Sequence, residues 1–218
     1  KTHYWTISML MLMQSMAKHE LVNSLDAVSQ LNGNAETCGD FAKIGIVTVS
    51  DRASRGEYTD EGGPAILRFL EEAIASPVEV HYVCVADETS LIQTELIRLS
   101  DDVGCSIIVT TGGTGPAVRD VTPEATAAVC ERILDGFGEQ MRAISLRYVP
   151  TAILSRQLGG TRGECLMFNL PGRPKAIRET IDEIWQAVPY CIDLLGGPYI
   201  DMVDSVCTAF RPKTARRR

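Results

Sequence analysis

The sequence predicts an α/β fold: a three-layer αβα sandwich around a mostly parallel sheet, in a single domain. Three observations predict it. From Ala42 onward, short apolar runs rich in β-branched residues alternate with stretches of helical periodicity. The intervals between the runs are long enough for helical crossovers, which parallel strands covered on both faces require. The chain has 218 residues, 45% of them hydrophobic, enough to bury one full core with a tail left over.

Lys43–Ser50 (KIGIVTVS) reads as the first buried strand. Ile66, Leu67, Phe69, Leu70, Ala73 and Ile74 then fall on one helical face, and Pro77 stops that helix. Val78–Val85 is a second strand. Ile92, Leu96, Leu99 and Val103 mark a second helix, leading into a third strand, Cys105–Thr110. Thr122 is placed as the N-cap of the next helix, with Pro123 at its first position. Phe137, Met141, Ile144 and Tyr148 repeat at helical spacing. Cys165–Leu170 is a fourth strand, and Ile177, Ile181, Ile184 and Val188 form the inner face of a long helix after it. Residues 1–41 read as an N-terminal extension, expected to be poorly ordered. Its methionine-rich run, Tyr4–Met16, is too short to cross a bilayer and lacks the basic start and cleavage site of a secretory signal. Asn32, Gly33, Asn34 and Gly39 then mark a linker. The domain proper spans 42–212, and 213–218 form a basic tail.

The net charge of −7 argues against a nucleic-acid partner, because phosphate contacts need a positive face. Nothing in the sequence argues for a membrane. Lys213 and Arg216–Arg218 fit a solvated tail. Seven cysteines with no C-x-x-C pair fit a reducing, cytoplasmic setting. Four of them sit in apolar runs and read as small buried hydrophobes. His3, His19 and His81 have no ligand-like spacing, which argues against a zinc site or a Ser-His-Asp triad.

In an open parallel sheet, ligands bind beyond the carboxyl ends of the strands. Four segments lie there: Ser50–Gly56 (SDRASRG), Ala86–Glu88, Thr110–Thr126 (TTGGTGPAVRDVTPEAT) and Leu170–Pro174 (LPGRP). In the third, Gly112, Gly113 and Gly115 let the backbone turn tightly and bring its N–H groups to an anion, while Thr111 and Thr114 add hydroxyls. A helix starting near Pro123 adds the positive end of its dipole. The segment is neither a Walker A loop nor G-x-G-x-x-G, and plain turn chemistry remains an alternative reading. Asp87 and Asp120 both lie just past strand ends. Each alone could cap a helix; together, beside a phosphate cradle, they suit a magnesium ion that bridges phosphates. Arg52 and Arg119 could bind phosphate oxygens bidentately or serve as surface ion-pair partners.

SDRASRGEYTDEGGPA, VADE, TTGGTGPAVRDVTPEAT, GFGEQMRAISL, PTAILSRQLGGTRG and NLPGRPKAI, in this order and spacing, resemble the MogA-type molybdopterin adenylyltransferases, and more loosely the related domains of gephyrin and plant molybdenum-cofactor proteins. The likeness spans about 42–212. It implies transfer of AMP from ATP to the terminal phosphate of molybdopterin with release of pyrophosphate, assisted by Mg2+, with no tightly bound organic cofactor. It also implies a homotrimer and allows a molybdenum insertase as partner. By the same resemblance, Asp87 and Asp120 are the carboxylates tied to catalysis and magnesium. Ser50, Asp51, Arg52, Thr111, Gly112, Gly113, Thr114, Gly115, Arg119, Thr122, Glu124, Leu170, Pro171 and Gly172 belong to the ligand-binding surface, with Ser155 and Arg156 near the pterin. Between Glu183 and Pro189 the chain is shorter than some members. A pterin-binding relative with weak transferase activity and a scaffolding module are the competing readings. A Rossmann-type nicotinamide enzyme is disfavoured, because SDRASRG rather than G-x-G-x-x-G follows the first strand.

Overall fold

The computed structural model describes residues 5–7 and 41–213. The remainder of the extension, with its methionine-rich run and linker, lies outside the described residues, as do Cys38 and the basic tail beyond Lys213. Among the described residues the chain runs β1 (Trp5–Ile7), β2 (Ala42–Val49), α1 (Asp51–Ser54), α2 (Gly62–Ala73), β3 (Val78–Val85) and α3 (Thr89–Ile97). There follow β4 (Ile107–Thr111), α4 (Thr122–Val129), β5 (Arg132–Ile133), α5 (Asp135–Leu146), β6 (Gly159–Arg162), β7 (Cys165–Leu170), α6 (Pro174–Ile184) and α7 (Val188–Leu195).

The strands form one sheet in the order β1-β3-β2-β4-β7-β6-β5. β1 through β4 and β7 pair in parallel, whereas β6 runs antiparallel to both β5 and β7. The connection from β2 leads outward to β3, and the one from β4 leads the opposite way, reaching β7 through β5 and β6 at the far edge. The carboxyl ends of β2 and β4 therefore flank a topological switch point, the crevice where such sheets receive ligands.

Alternation along each strand builds two cores. Ile44 and Ile46 of β2, Ile107 and Val109 of β4, and Leu166 and Phe168 of β7 face helices α2, α5, α6 and α7. Val47, Val49, Ile108 and Met167 face α3 and α4 on the other side. Helices thus cover both faces of a sheet, as the sequence predicts for a three-layer sandwich. Trp185, fully buried just after α6, meets Phe69 edge-on at 5.2 Å between ring centroids and Phe168 at 6.1 Å, joining helix layer to sheet.

Several boundaries shift. The third strand begins at Ile107 rather than Cys105, and α3 ends at Ile97, with one wider turn, Arg98–Asp102, completing the stretch to Val103. Tyr148 lies beyond the end of α5 and is exposed. β5 and β6 are antiparallel additions, and the Gly-Gly-Thr-Arg run of β6 carries no strand signal. The described cysteines are free; Cys105, Cys165 and Cys207 are buried and Cys84, Cys130 and Cys191 half-buried. Burial pushes the Cys84 and Cys130 thiols up to about 11 and that of Cys105 to about 12. Among the described residues no helix is long and apolar enough to cross a membrane.

Trp185→Ala is expected to lower stability by about 3–5 kcal/mol in urea denaturation. Val118→Ala, at a side chain 96% exposed, is expected to change it by less than about 0.5 kcal/mol.

Candidate active site

β4 ends at Thr111, whose hydroxyl donates to the Pro171 carbonyl at 2.8 Å and so ties β4 to the Leu170–Pro171–Gly172 turn after β7. Gly112 and Gly113 then take left-handed φ values of 97° and 61°. A Cβ on Gly112 would lie 2.3 Å from the Val49 carbonyl oxygen, and one on Gly113 2.4 Å from Thr122 Oγ1, so neither position admits a side chain. The Thr122 hydroxyl donates to the Gly112 carbonyl at 2.9 Å, and its N–H to that of Gly113 at 3.2 Å. This corrects the expected cap: Val121 is the N-cap, Thr122 is the first helical residue and Pro123 the second. The threonine hydroxyl is drawn away from the helix because the loop carbonyl lies within its reach. Gly172 packs beside Gly112.

Both predicted carboxylates border this turn. Asp87 Oδ1 lies 3.1 Å from where a Gly113 Cβ would be, and Asp120 Oδ2 lies 2.8 Å from that of Gly115. Asp120 Oδ2 also accepts from the Ala117 N–H at 2.9 Å, which fixes its direction. Asp51 and Asp87 clasp each other: the Asp51 N–H donates to Asp87 Oδ2 at 2.7 Å and the Asp87 N–H to Asp51 Oδ1 at 3.1 Å. Arg119 grips Asp51 with two hydrogen bonds, 2.8 and 3.1 Å, and reaches Glu88 at 2.8 Å. The Arg119 guanidinium beside Asp51 holds that carboxyl below the usual carboxylate range. Burial raises the Asp87 carboxyl, with the Asp51 N–H working against it.

The other expected residues fall on the same edge in different parts. Ser50 caps α1, its hydroxyl accepting from the Ala53 N–H at 3.2 Å. Arg52 stacks over Tyr58, 5.5 Å from the ring centre. Arg156 is a staple: its N–H donates to the Thr114 carbonyl, its side chain donates to the carbonyls of Gly115 and Asp120, and it pairs with Glu124. Ser155 precedes it at the rim. Leu170 has a fully buried side chain and meets this edge only through the turn it begins.

Two residues that sequence reasoning missed hold the frame. Asp60 accepts from the Thr48 and Tyr82 hydroxyls and from the Gly62 and Gly63 N–H groups, at 2.8–3.0 Å, fixing α2 to β2 and β3. An Asp two residues before a Gly-Gly helix start is the signal that could have found it. Glu88, at the start of α3, holds one side of Arg119.

Among the described residues no group of three or more His, Cys, Asp or Glu side chains is arranged as a metal cage. Asp87 and Asp120 nonetheless fit magnesium, which takes hard oxygen ligands and is commonly held by one or two carboxylates plus the substrate's phosphates. A cavity of about 680 Å³ opens at the opposite edge of the sheet, lined by Lys43, Ser106 and Tyr199 among others. Glycines and the carboxylates Glu164 and Asp193 also line it, but it shares no residue with the glycine turn after β4, Asp87 or Asp120, and the switch-point edge is the candidate site.

A family model described as "Probable molybdopterin binding domain" matches residues 45–190. A Helicobacter pylori J99 protein named molybdopterin adenylyltransferase is 54% identical over 170 residues, covering 78% of this chain and 97% of its own length. The Escherichia coli K12 protein of the same name is 50% identical over 187 residues, covering 80% and 96%. Among solved structures, the molybdopterin biosynthesis enzyme MoaB of Thermus thermophilus matches with a TM-score of 0.64 and 39% identity, over 73% of this chain and 99% of that one.

Arg119→Ala is expected to raise the Asp51 carboxyl toward the ordinary range, as followed by carbon-detected NMR titration. An unmoved Asp51 would show that the backbone clasp with Asp87, rather than the guanidinium, holds it down.

Proposed function

This chain belongs to the molybdopterin-binding domain family and is a molybdopterin adenylyltransferase of molybdenum cofactor biosynthesis, and we propose that its glycine turn and the two carboxylates beside it carry the reaction. AMP passes from ATP to the terminal phosphate of molybdopterin, and pyrophosphate leaves. The observation that carries the site assignment is the placing of Asp87 against Gly113 and of Asp120 against Gly115, at the switch point between β2 and β4.

A terminal phosphate oxygen of molybdopterin attacks the α-phosphorus of ATP; a bond to that oxygen forms as the bond to pyrophosphate breaks. The phosphate is already largely ionised near neutral pH, so no strong general base is required. His81, the one described histidine, pairs instead with Glu79 on β3. The chain's contribution is positioning and charge compensation. Backbone N–H groups of the glycine turn receive phosphate, and the α4 N-terminus adds its positive dipole end. Asp87 and Asp120 would hold Mg2+, which supplies charge neutralisation on the nucleotide when bound. Arg119, held by Asp51 and Glu88, stands at the rim where phosphate charge would enter. Because burial raises the Asp87 carboxyl, a role that needs it ionised fails on the acid side, as pH falls through its raised pKa.

The protein is proposed to be a cytoplasmic homotrimer that can hand its product to an insertase. Exposed Leu146, Tyr148, Val149, Ile153 and Leu154, contiguous in sequence with Ser155, support an interface between copies there.

Asp87→Ala and Asp120→Ala are each expected to leave molybdopterin binding largely intact while lowering adenylyl transfer by about 10²–10³-fold. The assay follows adenylylated product from molybdopterin, ATP and magnesium, and full turnover in either variant would sink the assignment. Deletion of residues 1–40 is expected to leave turnover unchanged; loss of folding or of the trimer by light scattering would refute that.

A further inference from the structure

Gln157 is 2% exposed and lies two residues past Ser155. Its backbone is held, the carbonyl accepting from Arg142 Nη1 at 2.8 Å. Its side-chain amide has two distinct neighbourhoods. On one side are the main-chain oxygen of Asn169 at 3.2 Å and Met141 Sδ at 3.9 Å. A carbonyl oxygen and a thioether sulfur can only accept, so the amide nitrogen must face them. The amide oxygen is thereby turned to Ser155 Oγ, 2.7 Å away. That oxygen can only accept as well, and the serine's single proton is committed to it. The Gln157 N–H approaches the same Oγ at 3.4 Å and engages one lone pair. What the hydroxyl has left to offer is a lone pair. Ser155 borders the glycine turn, since the next residue's N–H donates to the Thr114 carbonyl at 3.0 Å.

We infer that Gln157 is a positioning residue that fixes Ser155 as a hydrogen-bond acceptor, so that Ser155 reads an N–H donor on the molybdopterin ring and not a phosphate oxygen. The inference rests on the reading above that Ser155 lines the pterin subsite. A phosphate oxygen near neutral pH only accepts, and would meet a lone pair with a lone pair. The amino-pyrimidine edge of a pterin carries N–H donors and matches it. The site then divides its labour: the N–H groups of the glycine turn take the phosphate, and Ser155 takes the ring. Gln157, buried behind the serine, acts only through it.

A double-mutant cycle on the full chain tests this, with steady-state kinetics on molybdopterin, ATP and magnesium for Ser155→Ala, Gln157→Met and the pair together. Each single change is expected to raise the KM for molybdopterin about tenfold, with kcat and the KM for ATP within about twofold. The double variant is expected to be no worse than Ser155→Ala alone, because residues acting as a unit are not additive. If Ser155→Ala leaves the molybdopterin KM unchanged, or raises that for ATP instead, the subsite reading falls and takes the inference with it. If Ser155→Ala has its expected effect but Gln157→Met multiplies it in the double, the subsite stands and the role of Gln157 is overturned. Should Gln157→Met fail to fold, competition by inorganic phosphate against molybdopterin in Ser155→Ala decides the polarity. Unchanged competition supports an acceptor facing the ring, and competition weakened tenfold overturns it.

Discussion

The backbone at Gly112 approaches the Val49 carbonyl so closely that no side chain fits between them. That contact brings the loop after β4 against the end of β2, across the crevice where the sheet's connections part in opposite directions. The rest of the site follows from it. With the turn pressed against β2, Gly113 meets Asp87 from the neighbouring β3 loop, and the Thr122 hydroxyl reaches back to the Gly112 carbonyl. Thr111 meanwhile fastens the same strand end to the turn after β7. Loops from four strands are drawn to one place by a close approach that only a missing Cβ permits.

Around that turn the charges are arranged to be held in tension. Asp51, Asp87, Glu88 and Asp120 share one edge, and burial, with the charges of Asp51 and Asp120 adding to it, raises the Asp87 carboxyl. Arg119 offsets part of this by bridging Asp51 and Glu88, while Arg156 is spent on the carbonyls of Gly115 and Asp120 and on Glu124. Arg119 and Arg156, beside the glycine turn, thus meet an anionic ligand already partnered, whereas Arg52 is engaged only by the Tyr58 ring. The magnesium proposed above would bring positive charge to this carboxylate-rich edge.

The parallel core was legible in the sequence because strands buried on both faces read as continuous apolar runs, and KIGIVTVS, CSIIVT and CLMFNL are such runs. The glycine turn and Asp87 could be singled out because they closely follow the ends of β4 and β3, whereas Asp120 lies well past β4 and stood out only as a second carboxylate near the turn. β6 was not, since two of its four residues are glycine and its pairing is set by β7 and not by its own propensity. Thr122 was misplaced by one residue because a hydroxyl before a proline reads as a cap, and only the fold shows a nearer carbonyl to bond. Asp60 and Gln157 were invisible for a related reason: their partners lie on other elements, and no local pattern announces them. What sequence conveys poorly is which polar groups will find each other once distant strands are side by side.

The cysteines carry a consequence of a different kind. A thiol whose pKa stands near 11 is thiolate about once in ten thousand molecules at neutral pH, and the thiolate is the form that oxidants and disulfides attack. Burial displaces all six described thiols upward and so lowers the thiolate share of each while the core stays closed. Labelling of these six thiols by a thiol-reactive probe would accordingly report opening of the core.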